Sequence, residues 1–133
     1  MTGLRIIEMD HIVLNVRDVE RSLGFYTQVL GLKGERIEEF RSGKVGFPSV
    51  RINGDTLIDL TKSATAEASN RTPNLNHFCF VAESTDLAAL TQRLRGQGVP
   101  IVHEPVSRWG AHGQATSIYI LDPDGNEIEI RCY

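Results

Sequence analysis

The feature that most narrows what this chain can fold into is an order of hydrophobic patterns that occurs twice. Residues 9–16 alternate, with Ile12, Leu14 and Val16 on one face and His11, Val13 and Asn15 on the other. A helix follows, capped by Asp18, with Val19, Leu23, Tyr26, Val29 and Leu30 in phase and Gly31 as its stop. Three strands are then predicted at 33–40, 46–53 and 56–61, the last two joined by the hairpin signal Asn53-Gly54-Asp55.

The same order restarts at residue 76. Residues 76–82 alternate Phe78 and Phe80 against His77, Cys79 and Val81, and Ser84 or Thr85 is the expected cap of a helix phased by Leu87, Leu90 and Leu94. Further strands are predicted at 99–103, 117–121 and 126–131. The last two are joined at Asp122-Pro123-Asp124-Gly125, whose Pro in second place and Gly in fourth suit a type I turn. Between the repeats, residues 62–74 are small and polar and read as a linker. The chain is therefore expected to be one domain, 1–133, made of a module at 5–61, a linker at 62–74 and a module at 75–133.

Composition excludes several classes. A net charge of −3 with scattered Lys and Arg does not suit a nucleic-acid surface. No apolar run approaches a membrane span, and the first residues lack the apolar core of a signal peptide, so the expected setting is the cytoplasm. Cys79 and Cys132 have neither disulfide-framework nor metal-type spacing. A small molecule is the expected partner.

The repeat also places polar groups. His11 and His77 occupy matching positions in the first strand of each module, and Asp59 and Glu129 matching positions in the last. Their apolar neighbours must take the helix-covered side of each sheet, so all four point to the other side. Carboxylates and imidazoles aimed into a concave face are costly unless paired, hydrogen-bonded or metal-bound. Two imidazoles with one or two carboxylates make a divalent-metal site. Because none of His11, His77 and Glu129 belongs to the apolar faces, replacing any of them by Ala is expected to abolish stoichiometric divalent metal while leaving the fold largely intact.

At M-D-H-I-V-L-N-V-R-D-V-E-R-S-L-G-F-Y-T-Q-V-L-G-L, N-H-F-C-F-V-A and D-P-D-G-N-E-I-E-I the chain resembles the vicinal oxygen chelate superfamily, which includes glyoxalase I, bleomycin-resistance proteins, fosfomycin-resistance enzymes and extradiol dioxygenases. The resemblance implies an α+β fold of two βαβββ modules forming an open barrel-like mixed sheet around a metal, commonly at a homodimer interface. It also implies His11, His77 and Glu129 as metal ligands. The fourth position, a glutamate in glyoxalase I, is Asp59 here, shorter by one C–C bond or roughly 1.5 Å, and is a possible fourth ligand or base. Where glyoxalase I places a glutathione-binding arginine this chain has Asn15, a possible pocket residue. Where fosfomycin-glutathione transferases place a threonine it has Val13.

G-A-H-G-Q-A-T-S-I-Y-I-L-D-P-D-G-N-E-I-E fits the extradiol signature, which implies His112 and Tyr119 as acid and base groups. His103, Arg108 and Trp109 are candidates for the pocket mouth. The expected function is metal-dependent cleavage of a catechol-type diol, with Fe(II) favoured and Zn, Ni or Mn possible. The alternatives are a glyoxalase-type isomerase or lyase and a non-catalytic binder of the bleomycin-resistance kind.

Overall fold

The computed structural model describes residues 5, 7–63, 75–83, 85–110 and 112–133. The chain divides into two compact units, Met1–Ala68 and Ser69–Tyr133. Most of the expected linker at 62–74, together with the candidate cap Ser84, lies outside the described residues.

In the first unit the order is β1 (His11–Val16), α1 (Val19–Gly24) continued by a π-helical turn (Phe25–Val29), β2 (Lys33–Glu35), α2 (Ile37–Arg41), β3 (Ser49–Arg51) and β4 (Leu57–Lys62). The sheet runs β1-β4-β3-β2, with β1 parallel to β4 and the other pairs antiparallel. Asp18 caps α1 as expected, its carboxylate accepting from the Arg21 amide at 3.1 Å. The covered face of the sheet carries Leu14, Val16, Val50, Ile58 and Leu60, and Val19, Leu23, Phe25 and Tyr26 from the helix are buried too.

The strand expected at 33–40 is a correction. Only Lys33–Glu35 pair; at Arg36 the backbone turns left-handed (φ 59°) and the chain enters α2 instead. The Arg36 guanidinium lies over the Phe47 ring and donates to the Phe47 carbonyl, fixing that corner. Acidic residues in the first turn of α2 and Arg41 in its last suit the helix dipole, and Arg41 also pairs with Glu20 at 2.7 Å. Alternation alone did not separate this five-residue helix from a strand. The strand expected at 46–53 is likewise trimmed to Ser49–Arg51, while Asn53 turns the chain by accepting the Asp55 and Thr56 amides on its side-chain oxygen.

In the second unit β5 (Phe78–Val81) and α3 (Leu87–Gly96) precede a three-stranded antiparallel run of β6 (Ile101–Gly110), β7 (Gly113–Leu121) and β8 (Glu127–Cys132). The sheet order β5-β8-β7-β6, with β5 parallel to β8, repeats the topology of the first unit. The helix cap is Asp86, not Ser84 or Thr85: its side chain accepts from the Ala89 amide at 3.1 Å. Ile118, Ile120, Ile128, Ile130, Leu87 and Leu94 form the core. β6 and β7 are much longer than expected and meet in a tight hairpin at Gly110 and Gly113, the latter at φ 99°.

The turn after β7 is held by one side chain. Asp122 accepts the amides of Asp124 and Asn126 on one carboxylate oxygen and the Asn126 side chain on the other, at 2.8–2.9 Å, while Gly125 N–H closes the turn on the Asp122 carbonyl. Asp122 is 4 % exposed. The register set there puts Tyr119 opposite Glu129. The fold is thus α+β, two βαβββ modules with α2 inserted in the first, each a four-stranded mixed sheet.

Candidate metal centre

Each module carries one histidine–carboxylate pair on the face of its sheet opposite the helices. In the second module His77 Nε2 lies 3.2 Å from Glu129 Oε1. His77 Nδ1 is 2.7 Å from the Asn76 side-chain oxygen, which orients the ring and leaves Nε2 for the carboxylate side. The other carboxylate oxygen, Oε2, accepts from Ser117 Oγ at 2.6 Å and from Arg131 Nη1 at 2.9 Å.

In the first module His11 Nε2 is 4.0 Å from Asp59 Oδ2, His11 Nδ1 is 2.6 Å from Asp10 Oδ1, and Asp59 Oδ1 accepts from Ser49 Oγ at 2.5 Å. The two arrangements match part for part: a ring nitrogen held by the preceding residue, a carboxylate with one oxygen held by a serine, and one nitrogen facing one oxygen. The Asp59 pair is wider by 0.8 Å, the difference between 4.0 and 3.2 Å, as the shorter side chain requires.

Electrostatics follows from these contacts. Burial pushes the Glu129 carboxyl up, but hydrogen bonds from Ser117, Tyr119 and Arg131 and the charge of the guanidinium outweigh it, so the net shift is downward. Burial and then the neighbouring Glu129 raise the Tyr119 phenol, against the opposing pull of Arg108. His11 is raised by its hydrogen bond to Asp10, which outweighs desolvation, with further help from the Asp59 charge. Both carboxylates are buried, Asp59 at 8 % and Glu129 at 5 % exposure.

The cross-strand register explains how Tyr119 reaches this place. Cys79, Glu129, Tyr119 and His103 stand opposite one another across β5, β8, β7 and β6, on one row of the sheet. The Tyr119 ring packs edge-on against His77 (5.5 Å between centroids) and against His103 (5.2 Å), and the Arg108 guanidinium lies 6.0 Å from its centre. Cys79 shares the row; burial and the Glu129 charge push its thiol up to about 11, so it stays protonated near neutral pH.

Other expected site residues go elsewhere. The contacts of His112 run to Tyr133: its amide donates to the phenol oxygen at 2.9 Å and the two rings pack edge-on at 5.2 Å. Trp109 is 76 % exposed near the tip of the β6–β7 hairpin. Asn15, on the same face as His11, accepts from Thr61 Oγ1 at 2.8 Å. Sequence reasoning missed Arg131, 3 % exposed and in contact with Glu129, although an arginine on the polar face of a buried strand two residues from an acid was the available signal. Ser117 and Ser49 were also missed, since a serine gives no pattern until the register is known. At Glu129 an Ala substitution carries a stability cost that the sequence did not indicate, because that carboxylate is half of a buried ion pair.

The donors left over suit a divalent cation. Imidazole nitrogen with carboxylate oxygen is the donor set of Zn(II), Ni(II), Mn(II) and Fe(II) sites, and in each module one ring nitrogen faces one carboxylate oxygen. Among the described residues each module gathers two such donors, and no group of three His, Cys, Asp or Glu able to hold a metal occurs.

Residues 8–130 match the model of the Glyoxalase/Bleomycin resistance protein/Dioxygenase superfamily. The chain belongs to that superfamily. It is 37 % identical over 128 residues to the virulence protein STM3117 of Salmonella typhimurium, covering 96 % of this chain and 85 % of that one. The crystal structure of STM3117 superposes with a TM-score of 0.74, covering 98 % of this chain and 99 % of that one at 31 % identity. A lactoylglutathione lyase of Neisseria meningitidis is 29 % identical over 124 residues, 90 % of this chain and 86 % of the lyase. Superfamily membership fits the βαβββ repeat and the imidazole–carboxylate donors, and small-molecule binding fits the superfamily. No helix among the described residues is long and apolar enough to cross a membrane.

Proposed function

We propose that this chain is a divalent-metal-dependent enzyme acting on a small molecule that offers two adjacent oxygens, with His11, His77 and Glu129 as ligands and Asp59 as a fourth ligand or base. The single observation behind the reading is the duplicated histidine–carboxylate pair, each member oriented by a neighbour that leaves one nitrogen and one oxygen facing each other. Members of the superfamily generally use divalent metals. We also take the working form to be a homodimer, since among the described residues no strand is paired beyond the outer strands of either sheet.

The glyoxalase-type reaction, transfer of a proton between two adjacent carbons of a hydroxy-carbonyl adduct, now has the stronger support. Both modules bring a carboxylate, and relatives at 29 % and 32 % identity are lactoylglutathione lyases. A metal bound by these groups would supply charge to stabilise negative charge on two substrate oxygens. Asp59 Oδ2, its partner oxygen fixed by Ser49, is the group proposed to take and return the proton. With Asn15 in place of arginine, glutathione is not the thiol we favour.

Cleavage of a catechol-type diol is the second reading, favoured by Tyr119. Its phenol lies against Glu129 and is held protonated, suited to donating to a substrate oxygen. The test is an activity screen after anaerobic loading with Fe(II), Zn(II), Ni(II) or Mn(II), using hemithioacetals of methylglyoxal and catechols. Isomerisation that is lost in Asp59→Asn with metal retained supports the first reading. Oxygen uptake with a catechol that is lost in Tyr119→Phe would replace it by the second.

A further inference from the structure

Arg131 is a buried cation whose donors are shared between two parts of the second module. Nη1 donates to Glu129 Oε2 at 2.9 Å and to the Trp109 carbonyl at 3.3 Å; Nη2 donates to the carbonyls of Arg108 at 2.9 Å and Gly113 at 3.0 Å. The Tyr133 ring covers the guanidinium at 4.7 Å, and Nε is buried without a hydrogen-bond partner. Satisfying three hairpin carbonyls does not by itself call for a charge, since neutral amide donors would do it without the desolvation cost of a cation. The charge and the planar fork are accounted for by the fourth acceptor, the Glu129 carboxylate.

The geometry points to Arg131 as a positioning residue: together with Ser117 it holds Glu129 by Oε2, so that the carboxylate offers Oε1 alone on the His77 side, and it ties that carboxylate to the β6–β7 hairpin. The inference rests on the reading of His77 and Glu129 as metal ligands. Ser117 reaches Oε2 from β7 at 2.6 Å and Arg131 from within β8, so two donors on different strands fix the same oxygen. Oε1 lies 3.2 Å from His77 Nε2. A carboxylate free to turn would offer a metal both oxygens; one clamped at Oε2 binds through a single oxygen and keeps a coordination position open for substrate.

Co(II) is the probe, because its visible absorption reports coordination number and its titration gives an affinity. Wild type, Ser117→Ala, Arg131→Gln and His77→Ala are compared as full chains. Ser117→Ala and Arg131→Gln are expected to weaken Co(II) binding by about 10-fold to 100-fold, the range for removing groups that orient ligands. Both should also change the spectrum of the fully loaded protein in the same direction, since each removes one of the two donors that hold Oε2. A role confined to stability would lower the melting temperature and leave spectrum and affinity alone. If Arg131→Gln does not fold, Arg131→Lys decides, because it keeps the buried charge but lacks the planar fork that reaches Oε2 and the hairpin carbonyls together. Wild-type affinity and spectrum in the folded clamp variants, with Co(II) lost in His77→Ala, would overturn the positioning role and leave the ligands standing. No Co(II) uptake by wild type, or full uptake by His77→Ala, would sink the ligand reading and this inference with it.

Discussion

Replacing Glu129 by Ala tests how the proposed site is built into the core. Glu129 and Arg131 are 5 % and 3 % exposed and paired at 2.9 Å, so removing the carboxylate strands a buried guanidinium. Breaking a buried pair from one side costs about 3–5 kcal/mol. Arg131 keeps the carbonyls of Arg108, Trp109 and Gly113, which places the expected loss near the lower end, about 3 kcal/mol. For a chain of this length that lowers the melting temperature by roughly 10 °C.

The assay is urea unfolding followed by far-UV circular dichroism at fixed protein concentration without added metal. The same substitution in an Arg131→Met background should cost about 1–3 kcal/mol less, because the stranded charge is gone. His11→Ala and His77→Ala, whose rings are only partly covered, should each stay within about 1 kcal/mol of wild type. A Glu129→Ala protein as stable as the two histidine variants would refute this reasoning, since the ion pair would then contribute nothing.

Three further outcomes follow from the geometry. Because the Glu129 carboxyl is held below its ordinary value of 4.5, the stability it contributes is present above about that pH and is lost as pH falls through the lowered value. The stability gap between wild type and Glu129→Gln should therefore be wide at pH 7 and close in acid; a gap unchanged down to pH 3 contradicts it. Asp122→Ala removes three hydrogen bonds from a buried turn and should cost about 2 kcal/mol in urea unfolding, whereas a loss under about 0.5 kcal/mol would show that the turn does not depend on them. With its thiol near 11, Cys79 in a Cys132→Ser protein should react with iodoacetamide at pH 8 about 10-fold to 100-fold more slowly than a free thiol although the residue is exposed, and the rate of a free thiol would show that its surroundings beside Glu129 do not hold the proton on it.

The duplicated order of elements could be read from sequence because β1, β4, β5 and β8 alternate cleanly and α1 and α3 have clear apolar phases, although the cap of α3, Asp86, was expected at Ser84 or Thr85. The same alternation put His11, Asp59, His77 and Glu129 on the faces away from the helices, where the structure has them. What failed was local: at Arg36 a left-handed residue redirects a strand into a helix, a choice made by packing on Phe47 and not by periodicity. The length of β6 and β7 was hidden because Val102 to Trp109 is largely exposed and carries no apolar stripe. Arg131 and Ser117 were out of reach for a different reason. Their importance lies in sharing one oxygen of Glu129, which depends on strand register and on the hairpin closing over β8.

The central claim, that His11 and His77 hold a divalent metal with Glu129, is tested most directly by metal stoichiometry after equilibrium dialysis. Wild type, His11→Ala and His77→Ala are dialysed against Zn(II) and, anaerobically, against Fe(II), and bound metal is measured by plasma mass spectrometry. The histidine variants are the right ones, because they leave the buried Glu129–Arg131 pair intact. About one metal per chain in wild type and less than about a tenth of that in each variant is the predicted result. Equal loading of all three proteins, or none in wild type, would contradict it.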